Sequence, residues 1–358
     1  MRRWRWHLTA LVGLVAVAVA GIFVFGGDQT QPPPVPRLRP PENVPRVLVA
    51  LGDSTISGEG AGDYEPGTNG ENSDWCHRSR DASIHHTDTP NVAMTISLAC
   101  SGANSAQVGL GEVKQYGEPS QAGRLAVIAR QNRVEAVQVA VGANDDPAFA
   151  NTLNDCVEAY FDLRRPGCGQ AVGGDWQRRV DAMVPKVTKA LTDIRKVMAA
   201  AGYDNFDYRL VLQTYAAPVA PDVINGLQDL SGCPFRTEDL RWVKDTAVPT
   251  MTAGLRRAAR DAGANFLDLS ESGVGHEACS SNDPNNEWFR RLAVQWSDLR
   301  SQDRANHALQ ESFHPNSAGY AQVGRCFGTL LKIPAVFTEA KCVPGPDGNL
   351  TAVLPGSG

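Results

Sequence analysis

From Val44 onward the apolar residues fall into two patterns, short unbroken runs and longer stretches with helical spacing. The unbroken runs cover residues 47–51, 92–98, 136–141, 209–214 and 265–269. Each is too short for a helix, and continuous apolar character is what a strand needs when helices cover both faces of its sheet. Helical spacing predicts helices over 121–132, 176–201, 236–262 and 317–331. The two kinds of segment alternate, and no internal repeat breaks the pattern. This predicts one α/β domain over residues 44–342 built on a parallel sheet, followed by a flexible C-terminal tail at 343–358. In such sheets the working groups collect just beyond the carboxyl ends of the strands.

The first 43 residues follow a different pattern. MRRWRWH at 1–7 is basic and aromatic, and residues 8–27 carry no charge. As a helix those residues would span roughly 30 Å, the thickness of a bilayer's hydrocarbon core. Arg2, Arg3 and Arg5 would remain cytoplasmic, with Trp4 and Trp6 at the interface. The expectation is a cytoplasmic start at 1–7 and a transmembrane signal anchor at 8–27. Ala18-Val19-Ala20 leaves a cleaved signal peptide as the alternative. Residues 28–43, DQTQPPPVPRLRPPEN, form a proline-rich linker that would hold the domain off the membrane. Either reading exports the domain, as a single-pass membrane protein or, after cleavage, a secreted one.

Composition narrows the function. The 358 residues are 42% hydrophobic, enough for a sizeable core. A net charge of −5 without a long basic block argues against a nucleic-acid partner. Export gives meaning to the eight cysteines, Cys76, Cys100, Cys156, Cys168, Cys233, Cys279, Cys326 and Cys342. An even count suggests disulfides, although eight cysteines allow about 105 pairings. No C-x-x-C occurs, which leaves zinc-ribbon and thioredoxin-like readings without a motif. Pairing each cysteine with its sequence neighbour would tie four separate loops, each bridge contributing ~2–4 kcal/mol.

The strand ends carry the candidate chemistry. Gly52-Asp53-Ser54 follows the first strand, Cys100-Ser101-Gly102-Ala103 the second, and Gly142-Ala143-Asn144-Asp145 the third. Glu311-Ser312-Phe313-His314-Pro315-Asn316 precedes the last helix. In order and placement these four blocks resemble those of the GDSL or SGNH hydrolases, over about residues 44–342. WCHRS at Trp75 and ACSGA at Ala99 look like the secreted actinobacterial esterase and lipase branch, in which neighbouring cysteines pair.

The resemblance implies a flavodoxin-like three-layer α/β/α sandwich and a serine esterase. Ser54 would be the nucleophile, activated by His314 as base. The oxyanion hole would comprise the backbone N–H groups of Ser54 and Gly102 and the side-chain amide of Asn144. The group orienting His314 stays open. Much of the family has Asp three residues before the histidine, where this chain has Glu311; some esterases of this branch use a main-chain carbonyl instead, here that of Ser312. Asp53 is read as structural.

Taken singly these residues have ordinary uses: Ser54 could cap a helix and Asn144 could form an Asx-turn. Four blocks together weigh against that reading. Gly275–Cys279 and Cys76-His77 do not offer four ligands at zinc spacing, so no metal is expected. GEGAG at 58–62 lacks the closing Lys-Ser of a phosphate loop, and no other cofactor is called for. The expected partners are an acyl ester substrate and the membrane, with the protein a monomer. A lipid ester is the first substrate, an acylated envelope polysaccharide the second, and a catalytically silent binding module the rival class. Trp75, Phe149, Trp288 and Phe313 are candidates to line an acyl groove.

Overall fold

The computed structural model describes residues 38–295, 307–334 and 338–356. The segments 1–7 and 8–27 and most of the linker at 28–43 lie outside the described residues. Among those described, no helix is long and apolar enough to cross a membrane.

The elements run β1 (Arg46–Gly52), α1 (Ser54–Ser57), β2 (Met94–Ser97), α2 (Ser105–Val108), α3 (Gln121–Gln131), β3 (Arg133–Ala140), α4 (Phe149–Phe161), α5 (Cys168–Ala200) and β4 (Arg209–Gln213). They continue through α6 (Thr237–Trp242), a π turn (Val243–Ala247), α7 (Val248–Asp261), β5 (Asn265–Asp268), α8 (Ser317–Lys332), β6 (Glu339–Pro344) and β7 (Leu350–Val353). All seven strands form one sheet in the order β2-β1-β3-β4-β5-β6-β7. Every pairing is parallel except that of β6 with β7. The first five strands have the flavodoxin-like order 2-1-3-4-5. Val47 to Leu51 are completely buried, as the unbroken apolar run of a central strand requires. Helix α5 packs between α3 and α7, while α8 packs on the Ser83–His86 turn and β7.

The five predicted strands and four predicted helical regions are all present, with three corrections. The stretch 343–358 was expected to be a flexible tail, yet it completes β6 and supplies all of β7, and the two pair as an antiparallel edge. The short, charged EAKCVP of β6 has no apolar run to betray it. Helix α5 starts eight residues before Trp176, through a glycine-rich stretch. Those glycines serve packing, because a Cβ on Gly169 would lie 2.6 Å from the Trp242 ring and one on Gly173 3.3 Å from it. The helix expected over 236–262 is interrupted by the π turn, immediately before Pro249, which has no N–H to donate to the preceding turn.

Each cysteine is bonded to its sequence neighbour: Cys76–Cys100, Cys156–Cys168, Cys233–Cys279 and Cys326–Cys342. The second bridge ties the middle of α4 to the start of α5, and the fourth ties α8 to β6. The first ends one residue before Ser101, at the tip of the β2 block.

Candidate active site

The exit from β1 is built around Gly52. Its φ of +139° belongs to glycine, and a Cβ there would collide with the carbonyl oxygen of Ala140 on β3. The Gln121 side-chain amide clips the same residue, accepting from Gly52 N at 2.6 Å and donating to Gly52 O at 2.9 Å. Asp53 then caps α1, its Oδ1 accepting from Thr55 N at 3.0 Å and Thr55 Oγ1 at 2.8 Å. Its other oxygen accepts from the Tyr215 hydroxyl at 2.6 Å. Asp53 is fully buried, and burial pushes its carboxyl up to about 6 against the pull of these hydrogen bonds. Asp53 is thus a structural residue, and Ser54 stands at the first position of a one-turn helix.

His314 approaches from the loop before α8. Its Nε2 lies 2.7 Å from Ser54 Oγ. Burial holds the ring below the usual histidine value, so the neutral form, which can accept a proton, prevails near pH 7. Nδ1 is buried and makes no hydrogen bond of good geometry among the described residues. The main-chain carbonyls of Ser312 and Gln310 are the neighbouring acceptors that favour a protonated ring. The Glu311 carboxylate does not face His314. One oxygen accepts from the Tyr64 hydroxyl at 2.8 Å, and the other takes Gln295 Nε2 at 3.0 Å and the Arg290 guanidinium at 3.3 Å.

The loop also accounts for one glycine of the GEGAG stretch. Gly60 has φ +86°, and a Cβ there would sit 2.9 Å from the Pro315 carbonyl oxygen and 3.1 Å from His314 Cβ. The segment after Ser54 therefore packs its backbone directly on the histidine loop, and Arg290 Nε donates to the Gly60 carbonyl at 2.6 Å.

The remaining two blocks meet at the same place. Gly102 turns with φ +78° beyond Cys100, whose N–H donates to Gly52 O at 3.0 Å. Asn144 donates one amide N–H to Ala103 O at 3.1 Å, which fixes the side chain and leaves its second N–H for another acceptor. The neighbouring Asp145 accepts from Ser105 N at 3.1 Å and Ser105 Oγ at 2.7 Å, locking the third block to the second. Ser54, Gly102, Asn144 and His314 all line one cavity of about 450 Å³. Phe149, Leu153, Trp288, Phe289 and Phe313 form much of its apolar wall. Trp75 is not on that wall and stacks on His307 at 4.0 Å between ring centroids. No Asp, Glu, Lys or Arg lines the cavity among the described residues. They also hold no group of three or more His, Cys, Asp or Glu arranged for a metal ion.

Sequence reading gave no role at this site to Glu59, Tyr215 or Gln310, and weighed His77 only as a metal ligand. Glu59 carried one signal, an acid between two glycines in the GEGAG stretch, which was weighed only as a phosphate loop; the residue is completely buried.

The mostly parallel sheet thus brings a serine, a glycine, an asparagine and a histidine from four separate blocks onto one cavity. The model of the GDSL-like Lipase/Acylhydrolase family matches residues 50–322, and the chain belongs to that family and is a carboxylic ester hydrolase. Two Streptomyces coelicolor proteins are similar across most of their length. Lipase 2 is 25% identical, covering 76% of this chain and 81% of that protein. Lipase 1 is 26% identical with the same coverage of 76% and 81%. The extracellular lipase of Streptomyces rimosus aligns with a TM-score of 0.49 and 19% identity, covering 78% of this chain and 97% of the other.

Proposed function

We propose that Ser54 is the nucleophile of this esterase and His314 its general base. The carrying observation is the 2.7 Å hydrogen bond between His314 Nε2 and Ser54 Oγ. A neutral imidazole in that position takes the hydroxyl proton as Oγ attacks the ester carbonyl. The carbonyl oxygen becomes an oxyanion, which accepts from the N–H groups of Ser54 and Gly102 and the second N–H of Asn144. Such a donor typically contributes about 10²–10³ in rate. The alcohol departs with the proton held on His314, and water repeats the sequence on the acyl-enzyme to release the acid. The engagement of Glu311 with Tyr64, Gln295 and Arg290 supports a ring oriented by main-chain carbonyls rather than by that carboxylate.

The apolar, uncharged wall supports an acyl chain of a lipid or fatty ester as the group bound. An acylated envelope polysaccharide is the second reading, favoured by the anchor expected at 8–27, which would hold the domain beside the envelope. The domain works outside the cytoplasm on this reading, since four disulfides suit an oxidising compartment. The protein should hydrolyse p-nitrophenyl butyrate and Ser54→Ala should not; equal rates would overturn the assignment. Cell fractionation tests the location, which fails if the protein is found in the cytoplasm.

A further inference from the structure

Beside the site lies a buried charge cluster that the hydrolytic steps leave unused. Glu59 and His77 are 0% and 3% exposed, and both Glu59 carboxylate oxygens lie 2.8 Å from His77 Nδ1. The other ring nitrogen of His77 lies 3.0 Å from Asn69 Oδ1, so both ring nitrogens are held by side-chain oxygens. Burial opposes the charge on Glu59, but the hydrogen bond and charge of His77 outweigh it and hold the carboxyl below its ordinary range. Oε2 of Glu59 also accepts from Ser101 Oγ and Gln310 Nε2, each at 2.7 Å, and those two groups touch one another at 2.8 Å.

The partners come from three parts of the site. Ser101 immediately precedes Gly102. Gln310 presents its main-chain carbonyl to the His314 ring. His77 follows Cys76, which is bridged to Cys100. Fold stability does not explain a carboxylate at this depth, because desolvating it costs several kcal/mol and its partners return about that much at best. Fixing one geometry in a place where geometry matters does explain it. A carboxylate at this depth also favours a positive charge on a neighbouring imidazole, and Glu59 is the leading charged group that does so for His314.

We propose that Glu59 is a positioning residue for the hydrolytic step. Its carboxylate holds Ser101, and through it the Gly102 N–H, together with Gln310 and the backbone behind His314, while its charge steadies the imidazolium formed when Ser54 is deprotonated. His77 holds that carboxylate in place through its Nδ1. The proposal rests on the Ser54–His314 reading above.

The test measures kcat, KM and the pH profile of kcat/KM for the full chain on p-nitrophenyl butyrate. Glu59→Gln should lower kcat about 10- to 100-fold with KM within about threefold. The acid limb of the profile should move to lower pH, because the group favouring protonation of His314 is gone. Glu59→Gln combined with His77→Gln should show the same loss of kcat with a smaller move of the acid limb in the same direction, because His77 works against protonation of His314; it decides the matter where the single variant does not fold. Wild-type kcat in either folded variant overturns the proposal, as does a loss of kcat with an unmoved acid limb. Activity in Ser54→Ala would instead overturn the underlying reading, so the two failures are distinct.

Discussion

The tight contact between Gly60 and the histidine loop can be tested with one methyl group. Gly60→Ala places a Cβ 2.9 Å from Pro315 O and 3.1 Å from His314 Cβ, at a φ of +86°. The left-handed backbone alone costs an L-residue about 1–2 kcal/mol. Overpacking adds about 1–3 kcal/mol, because one neighbour is backbone and cannot swing aside. Gly62→Ala is the matched control: its φ is +76°, but nothing lies within 4 Å of the added carbon. The two variants should thus share the backbone cost and differ by the overpacking. Relief of the clash must shift the loop that carries His314, and a misplacement approaching 1 Å costs up to about 10² in rate. Urea unfolding should place Gly60→Ala about 1–3 kcal/mol below Gly62→Ala. Its kcat on p-nitrophenyl butyrate should fall at least about tenfold, with Gly62→Ala near wild type. Equal kcat in the two variants would refute the claim that Gly60 sets the position of the histidine.

Four other measurements bear on the site. Glu311→Gln should change kcat only a few-fold, since its carboxylate serves Tyr64, Gln295 and Arg290; a loss near 10⁴, as when a ring-orienting acid is neutralised, would return it to the mechanism. The acid limb of kcat/KM should have its midpoint below 6.5, because burial lowers the His314 pKa and the neutral ring is the active form; a midpoint above 7 would contradict this. Asp53 has a folded-state pKa raised to about 6 from 3.8, so its contribution to stability is full below about pH 4 and lost as pH rises through 6. Asp53→Asn removes that loss, and its stability relative to wild type should climb by about 2 kcal/mol between pH 4 and pH 7 in urea titrations. Replacing both Cys76 and Cys100 by alanine should cost ~2–4 kcal/mol and also lower kcat, while the Cys326–Cys342 pair should cost stability alone.

The parts of the fold visible in the sequence were those whose cause is local. Residues 47–51 read as a buried strand because every one of them is buried, and the strand indeed stands inside the sheet. The glycines of α5 misled because their purpose is a close approach to Trp242, a partner far along the chain. Ser54, Gly102, Asn144 and His314 were picked out because four blocks, at strand ends or just before a helix, resemble those of a known family, and the structure gathers them on one cavity. Glu59 was not, since its partners stand 18, 42 and 251 residues away and only the folded chain brings them together. Likewise the direction of the Glu311 side chain depends on Tyr64, which no local pattern connects to it.

That direction changes what the histidine loop depends on. A carboxylate on the ring would hold it through one flexible side chain, whereas here Glu311 ties its loop outward to Tyr64, and the Tyr64 hydroxyl in turn accepts from Gly60 N at 3.0 Å. Arg290 closes the same circuit, binding the Glu311 carboxylate and the Gly60 carbonyl. The segment after Ser54 and the loop bearing His314 are therefore joined by hydrogen bonds on both sides of a glycine contact that admits no side chain. A carbonyl that orients the ring from such a loop is already in place before the substrate arrives and needs no reorganisation during the reaction. On the proposed mechanism, the acid that resembles a triad member acts on the backbone geometry, and the backbone acts on the ring.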